Sequence, residues 1–263
     1  MLETQIKYAM VTGASKGIGK SMAVALAKRK INLLLIARSA DELSTLQTEI
    51  KNQYGVEVDI LPIDLSLPDA PTEVKNWVTG KNYAVYILIN NAGYGLWGKF
   101  ADLGLAGQLE MCRLNMNTVT SLSHLFLPTL FKEKQAYILN VSSTAAYQAV
   151  PTLAIYSATK AFVLSFTRAL RFELKDSNVS VSCLSPGPVD TGFASRAGLD
   201  AFSKMAEKFN MQPEEVAEIA IKGMFDKKSE IIPGFTNIIS VYANRILPKG
   251  FIEKMAAGIY KTK

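Results

Sequence analysis

The chain has 263 residues, 49% hydrophobic and 20% charged, with ordinary glycine and proline counts of 17 and 10; this is enough to bury a full core and unlike collagenous or low-complexity chains. Two cysteines, Cys112 and Cys183, make no disulfide framework, and one histidine, His124, leaves zinc without a ligand set, so no metal site is expected. The formal charge of +6 is uneven: residues 1–221 carry 21 basic and 20 acidic side chains and residues 222–263 carry 8 and 3, which argues against a nucleic-acid footprint.

Strand-like and helix-like patterns alternate. Lys7–Thr12 is a short apolar strand that ends in glycines, and a helix follows through Arg29 with Ile18, Met22 and Leu26 on one stripe. Asn32–Ala37 is the continuous Leu/Ile run of a strand buried on both faces. Asp41 is expected to N-cap a helix carrying Leu43, Leu46 and Ile50. Strands follow at Val56–Pro62 and Val85–Ile89, then a long helix over much of Leu105–Phe131 and a strand at Ala136–Val141. A second long helix spans Ile155–Lys175, before strands at Val179–Leu184 and Glu230–Ile232. This order predicts βαβ units and one doubly wound α/β domain over 1–263, its seven-stranded parallel sheet flanked by helices. No apolar stretch approaches the roughly 20 residues that span a bilayer. The N-terminus runs straight into a strand, so the reading expects no signal peptide and a cytoplasmic, reducing location.

Two ends of this sheet carry chemistry. The turn Thr12-Gly13-Ala14-Ser15-Lys16-Gly17-Ile18-Gly19 joins the first strand to its helix, where glycines let a pyrophosphate approach the helix N-terminus. A ribose-binding acid normally ends the second strand of such folds, but this chain has Ala37-Arg38. A guanidinium there, with Lys16 nearby, favours NADP(H) over NAD(H); otherwise Arg38 is a solvated strand-end residue. Asp64-Leu65 and Asn90-Asn91-Ala92-Gly93 follow the third and fourth strands; on spacing alone they read as structural turns, although buried amides can bridge neighbours and small residues leave room for a ligand. At the other end, Tyr156 and Lys160 share one helical face, and an ammonium beside a phenol lowers its pKa. Ser142-Ser143 ends the preceding strand, Ser143 lying thirteen residues before Tyr156.

Together these motifs resemble the short-chain dehydrogenase/reductase family, main branch of about 250 residues. The matching elements are TGxxxGxG (Thr12–Gly19), Asp64, NNAG (Asn90–Gly93), Asn115, Ser143, the YxxxK pair (Tyr156, Lys160) and Pro186-Gly187-Pro188-Val189-Asp190-Thr191, spread over residues 6–235. The resemblance implies a Rossmann-type fold and an oxidoreductase exchanging hydride between NADP(H) and a carbonyl or alcohol. In it Tyr156 is the acid/base, Ser143 holds the carbonyl oxygen, Lys160 lowers the tyrosine pKa and binds ribose, and Asn115, preferred over nearby Asn117, anchors a water relay. The implied cofactor contacts are Gly13, Ser15, Lys16, Gly17, Ile18, Gly19, Arg38, Asp64, Leu65, Asn91, Ala92, Gly93, Tyr156, Lys160, Pro186, Gly187, Val189 and Thr191. A homodimer or homotetramer through the helices around 105–131 and 155–175 is also implied.

The wording resembles ketoacyl and hydroxysteroid reductases, which puts a lipid-like ketone or 3-oxoacyl thioester first. A broad aldehyde or ketone reductase comes second, and a non-catalytic NADP(H) sensor is the alternative from another class. Residues 1–190 are read as the cofactor and catalytic core and 191–212 as a lid bearing Phe193, Leu199, Phe202, Met205, Phe209 and Met211. Tyr94, Leu96 and Trp97 either face that cleft or pack, and His124 is read as a packed or interface residue. In the basic extension 213–263, apolar residues recur at Ile238, Ile239, Tyr242 and Ile246 before Pro248, then at Phe251, Met255 and Ile259. That segment is either a helix pair with a solvated basic face or a surface for an anionic membrane, an acidic acyl carrier or a CoA ester.

Overall fold

The structure, a computed structural model, describes residues 6–190 and 211–259. Its sheet has seven parallel strands in the order β3-β2-β1-β4-β5-β6-β7: β1 Lys7–Thr12, β2 Asn32–Ala37, β3 Val58–Pro62, β4 Ala84–Asn90, β5 Ala136–Val141, β6 Val179–Leu184 and β7 Glu230–Ile231. The helices are α1 Gly17–Lys28, α2 Ala40–Tyr54, α3 Ala70–Gly80, α4 Leu105–Cys112, α5 Thr118–Leu130, α6 Ala154–Glu173, α7 Pro213–Phe225, α8 Phe235–Ile246 and α9 Lys249–Ile259.

Strand residues alternate between two cores, as period-two geometry requires. Ala9, Val11, Leu33 and Leu35 pack with α1, α2 and α7 on one face. Met10, Leu34, Ile36 and Leu88 pack with α3, α5 and α6 on the other. Because both faces are covered, β2 reads as an unbroken apolar run, with Leu33–Ile36 fully buried. This is the doubly wound Rossmann-type fold. Strand order reverses between β1 and β4, and the crevice at their carboxyl ends is where such sheets hold ligands.

Several expectations need correction. The helix after β2 starts at Ala40 with Ser39 at its N-cap; Asp41 lies inside its first turn, where a carboxylate complements the helix dipole instead of capping. The long helix over 105–131 is interrupted by a π-helical segment, Arg113–Asn117. Helix α3 had no counterpart in the reading, although Asp69, Pro71 and the Val74/Val78 stripe signal it. His124, read as packed or at an interface, is exposed on α5; Cys183 is buried and Cys112 half-buried. Of the lid residues only Met211 is described, pairing with Val189; Thr191 and the lid residues from Phe193 to Phe209 lie outside the described residues.

Candidate active site

The glycine turn is shaped by contacts that exclude side chains. Gly13 and Gly17 have φ of +65° and +53°, which favour glycine, and a Cβ on Gly19 would lie 2.2 Å from the Gly13 carbonyl oxygen. Thr12 ties the turn to β4: its hydroxyl donates to the Ile89 carbonyl (3.2 Å) and accepts from the Asn91 and Ala92 amides (3.0 and 3.1 Å). The Asn91 side chain donates back to the Thr12 and Gly13 carbonyls (2.9 and 3.2 Å). Asn90 donates to Asn140 (2.8 Å), so the paired asparagines do bridge strands. Leu65 is buried, its carbonyl accepting the Thr118 hydroxyl, and Ile18 is partly buried against the first core.

Beyond this turn α1 begins at Gly17 with no side-chain cap and no acid in its first turn, so its first N–H groups have no partner within the helix. A cavity of about 530 Å³ adjoins it, its lining including Ser15, Lys16, Gly17 and Lys20 together with the acids Asp41, Glu42, Asp190 and Glu214. These donors and cations fit a dinucleotide's phosphates. Both predicted phosphate cations hold acids here: Lys16 Nζ is 2.6 Å from Glu42, and Arg38 is 3.6 Å from Asp64. Glu42 is held below the usual carboxylate range by its bond to Lys16. Burial pushes the Asp64 carboxyl up, but bonds from Ser66 and the Arg38 charge outweigh it and the net shift is downward.

At the Tyr156 end of the crevice four segments converge. Gly93 lies against both Asn115 and Lys160: a Cβ there would sit 2.9 Å from Asn115 Oδ1 and 3.3 Å from Lys160 Nζ. Asn115, on the π-helical segment, is buried whereas Asn117 is exposed. Its amide donates to the Tyr94 carbonyl and Thr159 Oγ1 (both 3.0 Å), and its oxygen accepts from the Tyr94 amide (3.2 Å). With both amide hydrogens committed, Asn115 braces the loop after β4 against α6. Lys160 is buried, its ammonium donating to the Val141 carbonyl (2.9 Å), and desolvation pushes its pKa down to about 8. Tyr156 lies one turn earlier and is also buried, its ring centroid 5.9 Å from Lys160 Nζ.

The two serines differ in their bonding. Ser142 is buried and donates to the Lys160 carbonyl (2.7 Å), fixing α6 to β5. Ser143 is extended, and its Oγ caps a 3₁₀ turn, Thr144–Tyr147, by accepting the Ala145 amide (3.1 Å). Its hydroxyl hydrogen is thereby directed to some other acceptor.

The sequence reading passed over Tyr147, at the end of that turn. Its hydroxyl donates to Glu230 on β7 and stands 3.1 Å from Ser185 Oγ. Burial and the Glu230 bond push the Tyr147 pKa well above the usual phenol range. Pro186 accepts the Thr144 amide (2.9 Å), and Gly187 is pressed against Asn237 of α8, where a Cβ would lie 2.3 Å from Asn237 Oδ1. Tyr94 resolves toward packing: it is buried and its hydroxyl donates to the Gly107 carbonyl (3.2 Å). Leu96 and Trp97 pack partly buried against the same core.

A family profile described as short chain dehydrogenase matches residues 7–201, most of the chain. The chain belongs to the short-chain dehydrogenase family. It is 31% identical over 245 residues to 17-beta-hydroxysteroid dehydrogenase type 3 of Homo sapiens, covering 92% of this chain and 78% of that protein. It is 35% identical over 192 residues to very-long-chain 3-oxoacyl-CoA reductase of Mus musculus, spanning 72% of this chain but 61% of that protein's length. The solved structure of a short-chain dehydrogenase from Sphingobium yanoikuyae in complex with NADPH matches with a TM-score of 0.82 at 28% identity, covering 98% of this chain and 97% of that one. The short-chain dehydrogenase described here is thus an oxidoreductase of a nicotinamide-binding family, resembling ketoacyl and hydroxysteroid reductases.

Proposed function

We propose that this dehydrogenase is an NADP(H)-dependent reductase of hydrophobic ketones, with 3-oxoacyl thioesters as the leading substrate class. The observation that carries the chemistry is Lys160, whose buried ammonium, fixed on the Val141 carbonyl, sits one helical turn from Tyr156. The substrate class is supported by the similarity to a 17-beta-hydroxysteroid dehydrogenase and a very-long-chain 3-oxoacyl-CoA reductase.

The nicotinamide, when bound, supplies the hydride. This chain's residues manage the proton. Tyr156 donates its phenolic hydrogen to the carbonyl oxygen, leaving a phenolate. The Lys160 ammonium stabilises that phenolate in a site from which water is largely excluded. Ser143 Oγ, held by the Ala145 amide, donates its hydrogen to the same carbonyl oxygen and fixes its position. Asn115 acts through Tyr94 and Thr159, keeping the loop after β4 and the start of α6 at a constant separation.

Preference for the 2′-phosphorylated cofactor rests on Arg38 and Lys16. Each is exposed and held by one surface acid, an arrangement worth about 0–1 kcal/mol. A phosphate would therefore displace Glu42 and Asp64 at little cost and gain charge-assisted bonds. The reading also includes a homodimer or homotetramer through the exposed apolar residues of α4 and α6, among them Leu105, Leu109, Phe162 and Phe172, checked by sedimentation at graded concentration. A reducing, cytoplasmic location accords with two free cysteines. The substrate test is a panel of 3-oxoacyl and simple ketone substrates of graded chain length, followed by NADPH absorbance. A rate rising with chain length is expected; a flat profile would replace this reading with a broad aldehyde and ketone reductase.

A further inference from the structure

Helices α8 and α9 carry an apolar face that the reductase chemistry does not use. On α8 the residues Phe235, Ile239, Tyr242 and Ile246, spaced four, three and four apart, form one stripe and are 76%, 53%, 54% and 83% exposed. After Pro248 the stripe resumes on α9 with Phe251 and Met255, 54% and 53% exposed. The helices are not merely loose: Val241, Ile252 and Ala256 are buried beneath them. Apolar side chains are thus presented on both sides of each helix, one set to the core and one to the outside.

The flanking charge says what covers the outer face. From residue 234 onward the sequence holds five basic side chains, Arg245, Lys249, Lys254, Lys261 and Lys263, against one acid, Glu253. Lys249 and Lys254 are exposed, and Lys254 lies three residues on from Phe251, beside the apolar stripe. An exposed apolar stripe with lysines at its margin is the chemistry of a helix lying in the headgroup layer of an anionic bilayer. No helix among the described residues is long and apolar enough to cross a membrane, so the contact is superficial.

The position matters for function. Asn237, on α8, is pressed against Gly187 of the Pro-Gly segment and donates to the Pro233 carbonyl (2.7 Å). Helix α8 is thus anchored beside the Pro-Gly segment that follows β6. We infer that α8 and α9 dock this protein on an anionic membrane surface and set its active-site mouth against the lipid phase from which a hydrophobic ketone arrives. The docking stands on the exposed face and its charge; only the origin of the substrate rests on the reductase reading.

The test uses the full chain with vesicles of phosphatidylcholine alone and of phosphatidylcholine mixed with phosphatidylserine, pelleted at low and high salt. Pelleting with the phosphatidylserine vesicles, lost at high salt, is expected. Ile239→Glu/Ile246→Glu and Lys249→Glu/Lys254→Glu should each weaken it by at least about tenfold. Circular dichroism and NADPH binding, which these surface changes should leave intact, show that each variant is folded. Equal pelleting with both vesicle types, or no effect of either variant, would overturn the inference. A dimer that Ile239→Glu/Ile246→Glu converts to monomer, without vesicle binding by the parent chain, would assign the face to a second copy and also overturn it. Reduction of a short water-soluble ketone, measured on the same samples, separates failure of docking from failure of the reductase reading.

Discussion

Two lysines show how the two ends of the crevice differ. Lys16 is 70% exposed and pairs with Glu42 at 2.6 Å, while Lys160 is 6% exposed and rests on the Val141 carbonyl. The first lies in water, where its partner is readily exchanged and its charge is cheap to redirect. The second is held where charge is expensive, so burial lowers its proton affinity, with only Cys183 opposing. The proposed cofactor preference thus rests on weak, replaceable pairs, and the proposed chemistry on a network of buried, mutually bonded groups.

Replacing Lys160 tests the buried side most severely. Lys160→Met should cut carbonyl reduction by about 10³-fold, the scale of a lost acid–base contribution. It should also change the pH dependence of stability. The folded pKa of about 8 lies below the ordinary 10.5, so between those values the unfolded chain binds the extra proton. Stability contributed by this site therefore rises with pH across that window, by about 3 kcal/mol. Denaturant unfolding of cofactor-free protein at both ends of the window should show this rise in the parent and not in Lys160→Met; parallel profiles would break the comparison.

On the exposed side the effect should be smaller and confined to choice of cofactor. Arg38→Ala should reduce the ratio of kcat/KM with NADPH to that with NADH by about 10- to 100-fold, the value of a charge-assisted bond. Lys16→Ala should do so by a few-fold, with thermal stability nearly unchanged because each cation sits in a surface pair. An unchanged ratio in Arg38→Ala would reduce Arg38 to a strand-end surface residue. The smallest effect concerns Tyr147. Tyr147→Phe should lower unfolding stability by about 1–2 kcal/mol, since Glu230 loses a partly buried partner. Because the turn ending at Tyr147 begins at Ser143, KM should rise a few-fold with kcat nearly constant; a drop in kcat alone would place Tyr147 in the chemistry itself.

Much of this was legible beforehand where the signal is local. The strands at 7–12, 32–37, 136–141 and 179–184 agree with the reading because burial on both faces leaves an unbroken apolar run. The glycine turn, Asn91, Gly93, Ser143, Tyr156 and Lys160 were named from spacing and family resemblance, and the fold brings them to the carboxyl ends of the strands. The π-helical segment at Arg113–Asn117 was not legible, because one inserted residue hardly alters an apolar period. Nor was the bond between Tyr147 and Glu230, whose partners are 83 residues apart. Strand β7 has only two residues, so its pairing depends on β6 more than on its own composition. The outward direction of Phe235, Ile239 and Ile246 was equally hidden, since helical spacing gives a stripe but not the side on which the core lies.

The central claim is that Tyr156 delivers the proton while the rest of the site holds cofactor and carbonyl. It is tested most directly by comparing Tyr156→Phe with the parent chain in two assays, NADPH binding by fluorescence and reduction of a hydrophobic ketone followed by NADPH absorbance. Binding within about twofold of the parent and turnover down by about 10³-fold are expected. Undiminished turnover in Tyr156→Phe would contradict that claim.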